Sequence, residues 1–243
     1  MKASFADIPF PFALPALRRG TLKGRRLRVL ALARPIARPA WPRPGTADAL
    51  YAGIFDLAGV RQESHGRPIF ALKTDDAGWL AALHGFDWLA TLADGGGRLH
   101  LLMARRMIGD WVEAAARLPD IAHEPDVTAR RVINWITLAP ALLEGAPGRF
   151  AGLFHLALAQ QVRRLLAFTT RRLAPAARLR VLLALGHATT ALRGLDHLRD
   201  QSLAALAEEL QWQILPDGGH VSRSPAVLLD IVAALIPLRA ALT

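Results

Sequence analysis

The chain of 243 residues contains no cysteine, a single tyrosine and only three lysines. The lack of cysteine excludes disulfides, thiolate metal sites and cysteine nucleophiles. No stretch of eighteen apolar residues is free of charge, so no membrane span is expected, and the most apolar segment (224–238) is interpreted as a buried helix. The N-terminus is a poor secretory signal, because it has no continuous apolar core before a small-residue cleavage site. Localisation is left open between the cytoplasm and the periplasm.

Basic residues outnumber acidic ones, 30 to 20, and the net charge of +10 comes almost wholly from arginine. The planar guanidinium suits bidentate binding of carboxylate, sulfate or phosphate, and the long-range field attracts polyanions. The alternative is that these arginines only cover solvated helix faces. The basic N-terminal segment has neither a repeat nor aromatic residues between its charges, so no nucleic acid is expected as a partner.

Residues 1–75 are interpreted as an N-terminal extension rich in proline and arginine, with little regular structure. Closely spaced prolines in its middle end any helix that begins there. Two short strands are expected near its end, Ile54–Leu57 and Ile69–Leu72, separated by a polar segment.

From residue 76 onward, apolar residues recur at intervals of three and four, as on the buried face of an amphipathic helix. Seven such stripes are present, and they begin near Trp79, Leu99, Val132, Phe154, Leu179, Leu203 and Leu228. Glycine and proline clusters separate them, and short connections place neighbouring helices antiparallel. The sequence therefore predicts an all-α domain of antiparallel helical hairpins over residues 76–243. Periodicity alone does not choose between a bundle, a solenoid and an α/α toroid.

Two segments carry polar residues where plain helix packing needs none. The first is residues 84–88, His-Gly-Phe-Asp-Trp, within the first apolar stripe. The second is residues 213–225, where two adjacent glycines lie among Asp217, His220 and Arg223. Glycine lets a ligand approach the backbone closely, while the Ser-Pro pair that ends this segment fits the start of a helix. The second segment is interpreted either as a capped helix connection or as a binding loop.

Residues 213–225 and the helix after them resemble the segment that closes the helical domain of bacterial heparinase II/III family proteins. The blocks 84–89 and 126–135 are similar to earlier parts of that domain, so the resemblance runs from about Trp79 to the end of the chain. It implies an incomplete α/α toroid and lyase chemistry on uronic-acid-containing polysaccharides. It also implies a C-terminal β-sandwich domain, missing here, as a partner in the full-length protein.

The resemblance further implies two catalytic groups that this chain lacks. In family members a tyrosine transfers protons and an asparagine neutralises the uronate carboxylate, and the matching positions are Val227 and Gly186. No catalytic residue is therefore predicted, and polysaccharide lyase activity is expected to be absent from this chain alone. The expected function is recognition of an acidic polysaccharide by His84, Asp87, Trp88, Arg131, Trp135, His187, His220 and Arg223. No metal and no cofactor is expected, because the histidines lack metal-ligand spacing and no nucleotide-binding glycine loop is present.

Two other functions remain open from the residues alone. An α/α toroid can be a glycoside hydrolase, which needs two carboxylates about 5 to 10 Å apart. Asp87, Asp126 and Asp217 are the candidates for that pair. The domain can also be a non-catalytic helical interaction module. An open groove lined by the predicted binding side chains favours the polysaccharide, paired carboxylates in a cleft favour hydrolysis, and a filled centre favours the interaction module.

Overall fold

The computed structural model describes residues 31–37, 46–95 and 97–243. Within these residues there are nine α-helices and one small two-stranded sheet. The prediction of an all-α body is confirmed at this level. The basic segment up to residue 30 lies outside the described residues.

Residues 46–72 hold more regular structure than the sequence predicted. They comprise helix α1 (Ala47–Tyr51) and an antiparallel hairpin of strands β1 (Ile54–Leu57) and β2 (Val60–Glu63). Ala58 and Gly59 both take positive φ between the strands, as a tight two-residue hairpin turn requires.

The first predicted strand is confirmed at Ile54–Leu57, whereas Ile69–Ala71 forms a 3₁₀ turn and not the expected second strand. The tight turn explains the difference, because it brings the polar segment Val60–Glu63 directly beside β1. The buried apolar side chains of this region join the main core, and they are Leu50, Phe55, Leu57, Ile69 and Phe70. Residues 46–72 are therefore packed onto the helices.

Eight further helices follow α1. Two short helices, α2 (Ala77–Gly85) and α3 (Leu89–Asp94), precede six longer ones, which are α4 (Arg98–Ala114), α5 (Pro125–Leu143), α6 (Gly148–Phe168), α7 (Pro175–Ala191), α8 (Arg199–Gln213) and α9 (Pro225–Leu242). Each of the seven predicted apolar stripes coincides with one of these helices. Helix α3 was not predicted, because six residues are too few to show a helical period.

The six long helices repeat at a spacing of about 50 residues. Helices α4, α6 and α8 begin at residues 98, 148 and 199, and α5, α7 and α9 begin at Pro125, Pro175 and Pro225. Each proline occupies the start of its helix, where the missing N–H costs no hydrogen bond. The domain therefore contains three copies of one helical hairpin: α4–α5, α6–α7 and α8–α9.

Helices α2, α5, α7 and α9 form one row, in which each helix packs against the next. Helix α6 packs against α5 and α7 and also touches α4, while α8 packs on α7. Asp126 pairs with Arg180 and Arg180 with Asp230, all near the starts of their helices, so α5, α7 and α9 have their N-termini at one edge of the row. A Cβ atom at Gly186 of α7 would lie only 2.9 Å from Cδ2 of Leu238, so this glycine allows α9 to approach closely.

Helix α9 corrects the expectation of a buried helix in this segment. Only Ile231, Pro237 and Leu238 of this helix are buried, because α9 packs against α7 on one side. By length and apolar composition, α9 is the one described helix that could cross a membrane. Core helices of water-soluble proteins pass the same test, so this is weak support for a span.

Candidate functional site

Six of the eight predicted binding side chains lie inside the protein. The six are exposed by 3% or less, and they are His84, Trp88, Arg131, Trp135, His187 and His220. Only Asp87 and Arg223 are exposed residues. The structure therefore does not bring the eight side chains to one open groove, because the buried polar groups bond within the helix packing.

Arg131 of α5 holds several segments together from the interior. Its Nη1 atom donates to the carbonyl oxygens of His84 at 2.8 Å and Ala122 at 3.0 Å. Its Nη2 atom donates to Oε1 of Gln161 at 2.7 Å and to Oγ1 of Thr128 at 3.2 Å. Burial lowers the pKa of Arg131 to about 9. Each of its terminal nitrogens is thus satisfied by the protein itself.

Aromatic rings pack around this arginine. The guanidinium carbon of Arg131 lies 4.1 Å from the ring centre of Trp111, whose indole N–H donates to Nδ1 of His84 at 3.2 Å. Burial, and then the charge of Arg131, lowers the pKa of His84 to about 4. Trp135 meets Trp111 edge-on, with ring centres 5.8 Å apart, and Trp88 donates its indole N–H to the carbonyl of Leu83. These rings fill the core and offer no flat face to a sugar.

His187 lies in the middle of α7 and is fully buried. Its Nδ1 atom is 2.9 Å from the carbonyl oxygen of Leu183, and burial lowers the pKa of the ring to about 4. A Cβ atom at the neighbouring Gly186 would meet leucines of both α8 and α9. Gly186 and His187 are therefore a site of close helix packing.

The exposed end of the α8–α9 loop is closed by an ion pair. Nη1 of Arg223 donates to Oδ2 of Asp217 at 2.5 Å, and Oδ1 of Asp217 accepts from the amide of Gly219 at 2.9 Å. The hydrogen bond from Arg223 lowers the pKa of this carboxyl group. Arg223 itself has a positive φ of 54°. Both charges are therefore used within the loop.

The buried end of the loop is joined to the preceding helices. Nε2 of His220 is 2.7 Å from Oε1 of Gln213. Nε2 of Gln213 in turn donates to Oε1 of Glu209 at 2.6 Å and to the Pro175 carbonyl at 2.8 Å. The hydroxyl of Ser224 accepts from an amide in the first turn of α9, which confirms the cap predicted there. The structure of the loop fits the interpretation of a capped helix connection.

Ion pairs run along the edge where the row helices begin. The pairs are Asp87–Arg130 at 2.8 Å, Arg130–Asp126 at 3.4 Å, Asp126–Arg180 at 2.6 Å and Arg180–Asp230 at 3.0 Å. We call these five residues the arginine–carboxylate ladder. Arg130, Arg180 and Asp230 occupy the same position in successive repeats, five residues after each helix-initial proline. The ladder therefore ties α5, α7 and α9 together at their N-terminal ends.

A cleft of about 600 Å³ separates the ladder from the β-hairpin. Its lining includes Asp56, Arg61, Asp87 and Arg130 beside the indole of Trp88. Both arginines already contact carboxylates, Arg61 with a glutamate of β2 at 3.0 Å and Arg130 with Asp87. The two arginines of the cleft are therefore compensated within the protein.

A second groove, of about 540 Å³, lies between the β-hairpin region and α4. We call it the Tyr51 groove. Its walls include Tyr51, Leu99 and Leu102, which are exposed by 50%, 61% and 45%. Arg67 and Arg106 also line it. Large apolar side chains that share an exposed concave surface are typical of a binding site for another protein.

The width of the apolar stripe on α4 is a sequence signal for this groove, and the prediction of helices from stripes did not use it. Apolar residues of α4 run from Leu99 and Leu102 to Met107 and Trp111. At roughly 100° per residue, they cover about half of the helix circumference. Packing buries Met107 and Trp111 and leaves Leu99 and Leu102 outside. A stripe wider than one buried face predicts an exposed apolar surface.

The chain matches no protein-family model and no solved structure. It is similar to FtsZ-localized protein C of Caulobacter vibrioides, with 32% identity over 231 residues that include 89% of this chain. The matched region spans 38% of the length of that relative.

This similarity corrects the function expected from the sequence. The relative is named for its localisation with FtsZ and not as a polysaccharide lyase, so the prediction of a domain acting on or binding acidic polysaccharide is wrong. The carboxylates considered for glycoside hydrolysis are engaged elsewhere, since Asp87 and Asp126 belong to the ladder and Asp217 is bound by Arg223. The resemblance to heparinase II/III proteins stays a prediction.

Proposed function

We propose that this chain is a protein-docking domain of a cell-division protein that localises with FtsZ. The similarity to FtsZ-localized protein C carries this proposal, because it extends over nearly nine tenths of the chain. The partner is a protein of the division site, and FtsZ is the first candidate because the relative is named for its localisation with it.

The Tyr51 groove is the surface that fits this role best. Leu99 and Leu102 lie three residues apart on α4 and project from one face of the helix beside Tyr51. Arg106, one turn further along, has a side chain that is 82% exposed and contacts Asp110 at 3.7 Å. Tyrosine and arginine, present here as Tyr51 and Arg106, are enriched among the residues that contribute most to binding in protein interfaces.

We propose in addition that the three hairpins are an arc of an α/α toroid. The regular spacing of the helices and the parallel row of α5, α7 and α9 support this arrangement, since a toroid is built from such a row. A determined structure of the longer relative tests it, because further hairpins would then have to continue the row around a common axis.

The docking role is tested by charging the groove. We expect the double variant Leu99→Asp, Leu102→Asp to lose co-localisation with labelled FtsZ in cells, and purified protein to lose at least tenfold in affinity for a division-site partner such as FtsZ. Fluorescence microscopy and a pull-down with purified FtsZ measure the two effects.

Leu156→Asp is the matched control, because Leu156 of α6 is an equally apolar side chain, exposed by 63%, that does not line the Tyr51 groove. We expect this variant to localise like the unaltered chain. Loss of localisation in both variants would point to general misfolding, which circular dichroism detects. Normal localisation of a well-folded groove variant would contradict the assignment of the groove.

A further inference from the structure

A mostly buried histidine joins the two walls of the Tyr51 groove. Tyr51 is the last residue of α1, whereas Leu99 belongs to α4. The side chain of His100, the next residue of α4, is only 15% exposed. Its Nε2 atom lies 3.0 Å from Oδ1 of Asp48 in α1, and its ring meets the ring of Tyr51 edge-on, with centres 5.9 Å apart. One side chain therefore contacts both Tyr51 and the helix that carries it.

Helix α1 depends on contacts of this kind for its position. It has only five residues, and a helix of that length is not stable by itself. Leu50 anchors it in the core, while Asp48 and Tyr51, three residues apart, lie on one face of α1. The two contacts of His100 are made to this face. They therefore fix how α1 is turned relative to α4.

Two glycines shape the space that His100 occupies. A Cβ atom at Gly95 would lie 2.8 Å from Nδ1 of His100 and 2.4 Å from the Cβ atom of Ala47 in α1. A Cβ atom at Gly97 would lie 3.0 Å from the same nitrogen. The backbone at Gly95 has an ordinary φ of −64°, so its conformation does not require glycine. The close approach of His100 and α1 explains the lack of a side chain at this position.

We propose that His100 is a positioning residue of the Tyr51 groove, which with Asp48 holds Tyr51 in the orientation used for docking. This inference rests on the docking function proposed above. An aromatic ring that is fixed before binding loses little conformational freedom when a partner packs against it. The side chain of Asp48 is 89% exposed, and exposed ion pairs add little to stability. The contact therefore matters for the shape of the groove more than for the stability of the domain.

The single tyrosine of the chain makes the positioning measurable without any partner. Protein labelled with fluorotyrosine gives a fluorine NMR signal from Tyr51 alone. We expect the signal to shift in Asp48→Ala, which leaves both rings in place but removes the carboxylate that holds the imidazole. Asp48→Asn should restore it, because the amide oxygen still accepts from His100. Asp56→Ala, at an exposed aspartate of β1, is the control. An unchanged signal in Asp48→Ala would overturn the proposal.

Gly95→Ala tests the same geometry without removing a polar group. We expect it to shift the fluorine signal of Tyr51, since the added Cβ atom displaces His100 and α1. Gly109→Ala is the matched control, because a Cβ atom there meets nothing within 4 Å. A normal signal in Gly95→Ala would contradict the tight fit of the imidazole against α1.

A double-mutant cycle connects the histidine to docking. We expect His100→Ala to weaken the binding of purified FtsZ by about two- to fivefold, and Tyr51→Ala to weaken it further. In the Tyr51→Ala background, His100→Ala should have no additional effect, because it acts through the tyrosine ring. Losses that simply add would overturn the proposal. Unchanged FtsZ binding in Tyr51→Ala would contradict the docking function itself, whereas an unchanged fluorine signal contradicts only the role of His100.

Discussion

The arginine of the helical interior and the arginine of the α8–α9 loop differ in burial and in bonding partners. Arg131 is fully buried and is held by carbonyl oxygens, an amide, a hydroxyl and an indole ring. Arg223 is exposed, and it pairs with a carboxylate six residues away. A buried cation is costly unless many dipoles surround it, whereas an exposed one needs no such arrangement. The stability of the fold therefore depends on the first arginine and hardly on the second.

The largest effect is expected from Arg131→Met. Methionine fills similar space but leaves the carbonyls of His84 and Ala122, and the side chains of Gln161 and Thr128, without their donor. We expect the free energy of unfolding to fall by about 3–5 kcal/mol, because several buried acceptors lose their donor at about 1–3 kcal/mol each. Urea denaturation followed by tryptophan fluorescence measures it. Arg163→Met, at an exposed position of α6, is the control. A loss of less than about 1 kcal/mol in Arg131→Met would contradict the stated difference between the buried and the exposed arginine.

A smaller effect per residue is expected from acid, through the buried histidines. Burial lowers the pKa of both His84 and His187 to about 4, so they are neutral in the folded chain and take up protons on unfolding below pH 6.5. The stability is fully present above the unfolded pKa and is lost as the pH falls from about 6.5 to 4. Each histidine contributes up to about 3 kcal/mol to this loss.

The measurement is urea denaturation at several pH values in that window. We expect His187→Gln to flatten the dependence of unfolding free energy on pH, because the titrating group is removed. The same substitution at the exposed His197 serves as the control. An unchanged slope in His187→Gln would show that the ring of His187 is not neutral and buried as described.

The smallest effect is expected at Arg223. Arg223→Ala removes an exposed ion pair, which should change the Tm by less than about 2 °C. Arg223→Gly removes the same pair but relieves the positive φ of 54°, so we expect its Tm to lie above that of the alanine variant. Differential scanning calorimetry compares the two. A Tm loss as large as that of Arg131→Met would remove the contrast between interior and loop.

The helices could be predicted because their apolar periodicity is local. All seven predicted stripes became helices, and the cap at Ser224 with its following proline was also readable. The equal spacing of Pro125, Pro175 and Pro225 was also present in the sequence. It is hard to recognise as a repeat, because the residues between these prolines differ from one copy to the next. The second strand was missed because tight-turn geometry, rather than side-chain pattern, decided which segment pairs with β1.

The candidate site could not be predicted in the same way, because its residues are sorted by distant contacts. Arg131 donates to the carbonyl of His84, 47 residues away, and Trp111 donates to the same histidine from 27 residues away. Nothing near these residues in the sequence distinguishes a buried donor from a ligand-binding one. The Tyr51 groove likewise depends on α1 and α4 meeting across the hairpin region.

The repeated hairpin has a consequence for how the domain opens. In an array of like units, each hairpin is stabilised by its neighbours, and an end unit has one fewer than an internal unit. Helix α5 has α2 and α7 beside it in the row, and α7 has α5 and α9, but among the described helices of the row α9 packs against α7 alone. In the single chain, local unfolding therefore begins most readily at the α9 end, and amide hydrogens there exchange faster than those of α5 and α7. Slower exchange in α9 at higher protein concentration would mean that a partner supplies the missing neighbour.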